Sequence, residues 1–165
     1  MRIVISIALA GTTLLAQPSS GTVNACSFFS AADAQSILGA QVKLAKTQNP
    51  KVCMYEESAP KEGASVGRVS LAVNERANAD AEAKGWASIK EVRHLQAGQK
   101  NVAVAPGIGD EAFFTGNVEK GRIGVAAVVA RKGRSDFMLD VMVLEYRASP
   151  DALKAVAKRI ADQLP

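Results

Sequence analysis

The stretch from Gly121 to Arg147, GRIGVAAVVARKGRSDFMLDVMVLEYR, carries the clearest alternation of apolar and polar positions in the chain. Ile123, Val125, Ala127 and Val129 recur with a period of two, RKGRSD interrupts them with charge and a glycine, and Phe137, Leu139, Val141 and Val143 resume the period. Side chains that return to one face every second residue belong to a strand, so this segment predicts a β-hairpin with Ile123, Val125, Ala127 and Val129 on a shared face. VGRVSLAVNE repeats the pattern. Val69, Leu71 and Val73 alternate with Arg68, Ser70 and Ala72, which predicts a strand with one buried face and one partly wet, as in an antiparallel sheet. Shorter strands are expected at VCMYE and at Phe113-Phe114, with Val42 to Leu44 extended.

Three segments change to a helical period. Ser30 is an N-cap residue with Asp33 three positions on, a shortened capping box, and Gly39 follows Leu38 as a stop, so Ala31 to Leu38 forms a short helix. From Asn78 to Leu95 good helix formers dominate, and Ala79, Ala83, Trp86, Ile89, Val92 and Leu95 make a loose apolar stripe, weakened in the middle by Gly85. The last helix opens with Ser149 as N-cap, Pro150 in the first turn and Asp151 beside the positive helix end. Leu153, Val156, Ala157, Ile160, Ala161 and Leu164 then follow at helical spacing, an apolar face that must dock on the sheet. Between the second helix and Phe113, VAVAPGIGDEAFF demands turns at Pro106, Gly107 and Gly109. The order helix, strands, helix, strands, helix predicts an α+β fold, an antiparallel sheet with helices packed against it. A helix followed by strands occurs twice, without the sequence identity of a repeat.

The N-terminus stands apart from these periods. Met1-Arg2, an apolar run through Ile3 to Ala10, then TTLLA and polar QPSSG describe a secretory signal rather than a membrane span, which needs about 20 apolar residues. Cleavage fits after Ala16 or after Ala25, and residues 1–25 are set aside as the signal peptide, leaving one domain over residues 26–165. Two cysteines remain, Cys26 and Cys53. A bridge between them is favoured, because an exported chain would otherwise hold Cys53 as a lone thiol in an oxidising compartment. The alternative is a diacylglycerol on Cys26, but Val23 and Asn24 make a poor lipobox, so a membrane anchor is not expected. The localisation implied is periplasmic or secreted.

Composition narrows the chemistry further. The formal charge of +4 falls to about +3 without Arg2, and acidic residues interrupt the basic ones except at Arg131-Lys132-Gly133-Arg134, which is expected to be a solvated hairpin tip. Sparse aromatics and the lack of an RNP-like or zinc-finger pattern argue against nucleic acid. One histidine and two cysteines do not make a zinc site, and no metal or cofactor is expected. His94 has no nucleophile at an interpretable spacing and is expected to be a surface or capping residue. Gly107-Ile108-Gly109 lacks the third glycine of a nucleotide motif. Its glycines are better explained by positive φ, with Asp110 as a turn-bonding residue.

Asp140 interrupts the apolar strand FMLDVMVLEY, where an isolated buried carboxylate would be costly, so a cation opposite is expected, with Arg68 the candidate. Tyr55, Phe113, Phe114, Met138 and Met142 could line an adaptable apolar groove with Arg68 and Asp140 beside it.

Several of these motifs together resemble a group of small exported bacterial domains of unknown function, often lipoproteins. They are Cys26-Ser27-Phe28-Phe29-Ser30 with Leu38-Gly39, Cys53-Met54-Tyr55, the turn from Gly107 to Phe113, Lys132-Gly133, and a final helix ending in Leu164-Pro165. The resemblance spans most of residues 26–165. It implies a helix-sheet-helix sandwich similar to PsbP and Mog-type domains, a disulfide between the two cysteines, and no established activity. The sequence therefore points to a non-enzymatic envelope module that binds a protein or an apolar small molecule. The alternative is a small envelope hydrolase using Asp110 and Glu111 of the PGIGDE turn.

Overall fold

Each helix begins where the sequence supplies an oxygen to cap it. The computed structural model describes residues 23–165 apart from Lys61 and Ala97, so residues 1–22 of the expected signal peptide lie outside the described residues. Helix α1, Ala31–Leu38, has the full capping box: Ser30 N–H donates to Asp33 Oδ2 at 2.8 Å and Ser30 Oγ accepts from Asp33 N at 3.3 Å. It ends on Gly39 in the left-handed region. Helix α2, Ala79–Val92, is capped by Asn78, and α3, Pro150–Gln163, by Ser149 with Pro150 in its first turn.

Seven strands, β1 (Val42–Leu44), β2 (Val52–Glu57), β3 (Arg68–Glu75), β4 (Val102–Val104), β5 (Glu111–Glu119), β6 (Arg122–Lys132) and β7 (Ser135–Met142), form one antiparallel sheet in the order β1-β2-β3-β7-β6-β5-β4. The fold is α+β. Two meanders, β1 to β3 and β4 to β7, each preceded by a helix, meet where β3 pairs with β7. The helix-then-strands echo in the sequence is this arrangement. β4 has no counterpart among the predicted strands, because three residues beside a run of turn formers give no readable period.

The principal core lies between one sheet face and helices α1 and α3. Val69, Leu71 and Val73 of β3 and Phe137, Leu139 and Val141 of β7 face Ile37 and Leu38 of α1 and Leu153, Ala157 and Ile160 of α3. Burying each large side chain contributes about 1.5–3 kcal/mol relative to exposure. All six apolar positions predicted on α3 are buried.

β6 departs from the expected parity. Ile123 joins the principal core with Ala126 and Val128, whereas Val125 is exposed and Ala127 and Val129 face the other way. The cause is a register shift: Gly116 pairs with Ala126 but Val118 pairs with Ile123, so β6 carries an extra residue and reverses its faces. Gly116 permits this, since a Cβ there would sit 2.6 Å from Ala126 Cβ.

Cys26 and Cys53 are joined in a disulfide with their Cα atoms 4.9 Å apart, fastening a 3-10 turn, Ala25–Ser27, to β2. The bridge is consistent with an oxidising, exported location. Ala25 is fully buried, and its N–H donates to Pro50 O at 2.8 Å, so the fold begins before Cys26. Among the described residues no helix is long and apolar enough to cross a membrane.

Replacing both cysteines by alanine should lower the unfolding free energy by about 3–4 kcal/mol, the chain-entropy value for a loop of this size, read as a lower urea midpoint. A chain beginning at Cys26 should also unfold at lower urea than one beginning at residue 17, because it lacks Ala25 and its hydrogen bond.

Candidate functional site

The second sheet face is covered over only part of its width. Helix α2 lies across β5, β6 and β7, where Trp86 stacks on Phe113 with ring centroids 6.4 Å apart and packs with Ala127 and Val129. Its inward face is not the expected stripe. Ala79, Ala83 and Val92 are exposed, and Glu82, Trp86 and Ile89 face the sheet instead. Glu82 is accommodated by Arg131 at 3.2 Å, and Glu111 accepts from Trp86 Nε1 at 2.6 Å and from Lys90 at 3.1 Å. An amphipathic pattern cannot anticipate a carboxylate held inside by a cation from another strand.

Beyond Val92 the helix stops. Arg93, His94 and Leu95 donate their N–H groups back to Ile89, Glu91 and Lys90, with His94 at φ 52°, so His94 is an exposed capping residue, as expected. Past this end lies an open groove of about 720 Å³. Its floor is Val125, Ala127, Met138, Asp140 and Met142 of β6 and β7, and Val92 and Arg93 at the end of α2, Lys100, Asn101 and Val102 at the start of β4, and Thr115 and Asn117 of β5 complete the lining. Val125 is 59% exposed, Met142 50% and Val92 74%, an apolar patch without a cover.

Asp140 sits on this floor, directly opposite Ser70 across the β3–β7 ladder. Ser70 Oγ donates to Asp140 Oδ1 at 2.6 Å. Burial pushes the Asp140 carboxyl above the usual aspartate range, and the Ser70 hydrogen bond and the charge of Arg93 offset only part of that rise. The expected partner, Arg68, instead pairs across strands with Met142 and forms an ion pair with Glu56 at 3.8 Å, because its register lies two residues from that of Asp140.

The structure thus divides the candidate groove residues. Met138, Asp140 and Met142 line the groove, and Arg68 stands next to Met142 on the neighbouring strand. Phe113 lies under Trp86. Phe114 faces the principal core with Lys154 5.1 Å over its ring, and Tyr55 packs edge-on against Phe29 on that same side. Adjacent residues of a strand face opposite ways, so Phe113 and Phe114 could not have shared one groove.

The PGIGDE turn is tied to the hairpin tip. Asp110 accepts from Gly133 N at 2.8 Å and Lys132 Nζ at 3.3 Å, and its own N–H donates to Arg131 O. Gly109 has φ 61°, and a Cβ there would fall 2.3 Å from Arg131 O, so the glycine serves a positive φ and a close backbone approach. The hydrogen bond from Gly133 lowers the Asp110 pKa against a smaller desolvation cost. For Glu111 burial is the largest influence and raises the pKa, but Trp86, Lys90 and Arg131 together bring it below the usual value. Arg131, Lys132 and Arg134 of the basic cluster each meet a carboxylate, from Glu82, Glu111, Asp110 or Glu75.

A second cavity of about 510 Å³ lies between Leu38, Pro60 and Tyr146 and contains a pair that sequence reasoning missed, Glu57 and Arg147. Glu57 is 4% exposed, accepts from Gly67 N at 2.9 Å and is gripped by both terminal nitrogens of Arg147. The bond to Arg147 holds the Glu57 carboxyl below the usual glutamate range, against desolvation. Nothing in VCMYEES marks the second glutamate as the buried one until the strand's parity is known. Arg93 and Lys100 were missed as well, since only the fold brings them to one groove.

No family model, curated protein or solved structure matches this chain.

Two substitutions probe these carboxylates in opposite senses. Arg147→Ala leaves Glu57 buried without its cation and should cost about 3 kcal/mol. Because the Glu57 pKa is lowered on folding, the stability from this pair is present above the ordinary value of 4.5 and is lost as pH falls through the lower folded value, so Glu57→Gln should flatten the acid limb of a stability–pH curve. Asp140 has the reverse sign. Its raised pKa makes the folded state less stable as pH rises through the folded value, so Asp140→Asn should raise the urea midpoint at neutral pH. That gain should disappear below the ordinary value of 3.8.

Proposed function

We propose that this protein is an exported, non-enzymatic binding module of the periplasm or the secreted fraction, and that its site is the groove beyond the C-terminal end of α2. The observation that carries the reading is the uncovered apolar floor of Val125, Met138 and Met142 beside the half-buried Asp140, in a cavity within the roughly 300–1,000 Å³ range of small-molecule sites. Methionines suit such a floor because their unbranched, polarizable side chains adapt to different apolar surfaces. The occupant is an apolar small molecule or an apolar protein segment at the envelope.

The leader-like N-terminus and the disulfide support export. A Cys26 sulfur engaged with Cys53 is not free to carry a thioether-linked lipid, which favours a domain without a lipid anchor. Helices α1 and α3 against one sheet face and α2 against the other support the helix-sheet-helix sandwich of the small exported domains that the sequence resembles. For the alternative, a small envelope hydrolase, Asp110 and Glu111 would have to leave hydrogen bonds and ion pairs that already occupy both carboxylates.

Titration with the neutral fluorescent probe N-phenyl-1-naphthylamine tests the site. Met142→Asp places a charge on an exposed strand position of the floor and should weaken probe binding about tenfold, the equivalent of about 1.4 kcal/mol, with the urea midpoint little changed. Binding that is absent, or indifferent to Met142→Asp, would overturn the assignment.

A further inference from the structure

The groove has an uneven charge. Arg93, at the end of α2, and Lys100, just before β4, both line it, and both are exposed. Neither has a carboxylate within ion-pairing distance among the described residues, unlike Arg68, Arg131, Lys132, Arg134 and Arg147. Three of the last carbonyls of α2, those of Ile89, Lys90 and Glu91, are satisfied by the N–H groups of residues 93 to 95, and the Arg93 guanidinium adds a positive charge at this helix end. The single carboxylate of the groove, Asp140, lies on the floor and is held by Ser70. Asp140 is already bonded to Ser70 and offset by the charge of Arg93, so it has little to offer a cationic head, whereas an anionic head finds two cations in the groove lining that no ion pair occupies.

We propose that the groove takes a single-chain anionic amphiphile, its tail on Val92, Val125, Met138 and Met142 and its acidic head between Arg93 and Lys100. This rests on the binding-module reading above and names its ligand class. The apolar patch supplies burial for the tail, and the two cations supply the selection among head groups. Asp140 acts against the anion at longer range, which keeps the head at the rim.

The test is calorimetric titration of the oxidised protein with decanoate, decan-1-ol and decyltrimethylammonium, all below their micelle concentrations. The methyl resonances of Met138 and Met142 are followed by NMR to show that binding is in the groove. Decanoate should bind tightest. Arg93→Gln with Lys100→Gln, at two exposed positions, should weaken decanoate at least about fivefold, the effect of two exposed ion pairs, and leave decan-1-ol unchanged. Asp140→Asn should tighten decanoate. Equal affinity for decanoate and decan-1-ol, or a preference for the cation, would overturn the anionic ligand while the methionine shifts still upheld a binding groove. No shift of either methionine with any of the three would sink the groove reading itself.

Discussion

The pairing of β3 with β7 is the constraint on which the rest of the structure depends. It is the seam between the two meanders, running in unbroken register from Arg68 opposite Met142 to Glu75 opposite Ser135. Residues this distant in sequence meet only after a large loss of chain entropy, so the seam has to be specified strongly. Its inner face does this with Val69, Leu71, Val73, Phe137, Leu139 and Val141, all buried. The outer face adds polar fasteners: Asp136, 2% exposed, accepts from Asn74 at 2.9 Å and from Arg76, and Ser70 binds Asp140. A slip of one residue would turn every one of these side chains to the wrong side.

The two faces of the sheet are built by different physics. Under α1 and α3 the contact is a continuous apolar core, which water cannot enter and which tolerates little change of volume. Under α2 the apolar contact is confined to Trp86, Ile89, Leu95 and the residues beneath them, and the remainder is Glu82 with Arg131 and Glu111 with Lys90. A small apolar anchor around Trp86, with the buried Glu82 matched to Arg131, seats the helix without requiring it to extend over the whole face. The groove exists because α2 ends at Val92, short of the floor made by Asp140, Met142 and Val125.

What the sequence made legible follows from how local each signal is. The caps at Ser30 and Ser149, the α3 face from Leu153 to Leu164, the hairpin and the alternation at Val69, Leu71 and Val73 depend on neighbours a few residues away, and all are found where they were expected. The bulge in β6, the inward turn of Glu82, the burial of Glu57 and the partner of Asp140 depend on which strand lies alongside, and a single strand's pattern does not contain that information. The site was legible in part for the same reason. Met138, Asp140 and Met142 share one strand face, so their adjacency is written in the period of two, whereas Arg93, Lys100 and Thr115 come together only once the sheet order is known.

Both borders of the sheet are three-residue strands, β1 and β4. β1 covers β2 only from Tyr55 to Glu57, and β4 covers β5 only from Phe113 to Thr115, so each border is stepped rather than one long straight row that could seed in-register stacking, even though Leu44 and Val104 are exposed there. The longest strand, β6, which would be the strongest template, is paired on both sides, by β5 and by β7. A sheet arranged this way limits amyloid-like growth through its own layout, with no side chain set aside for the purpose.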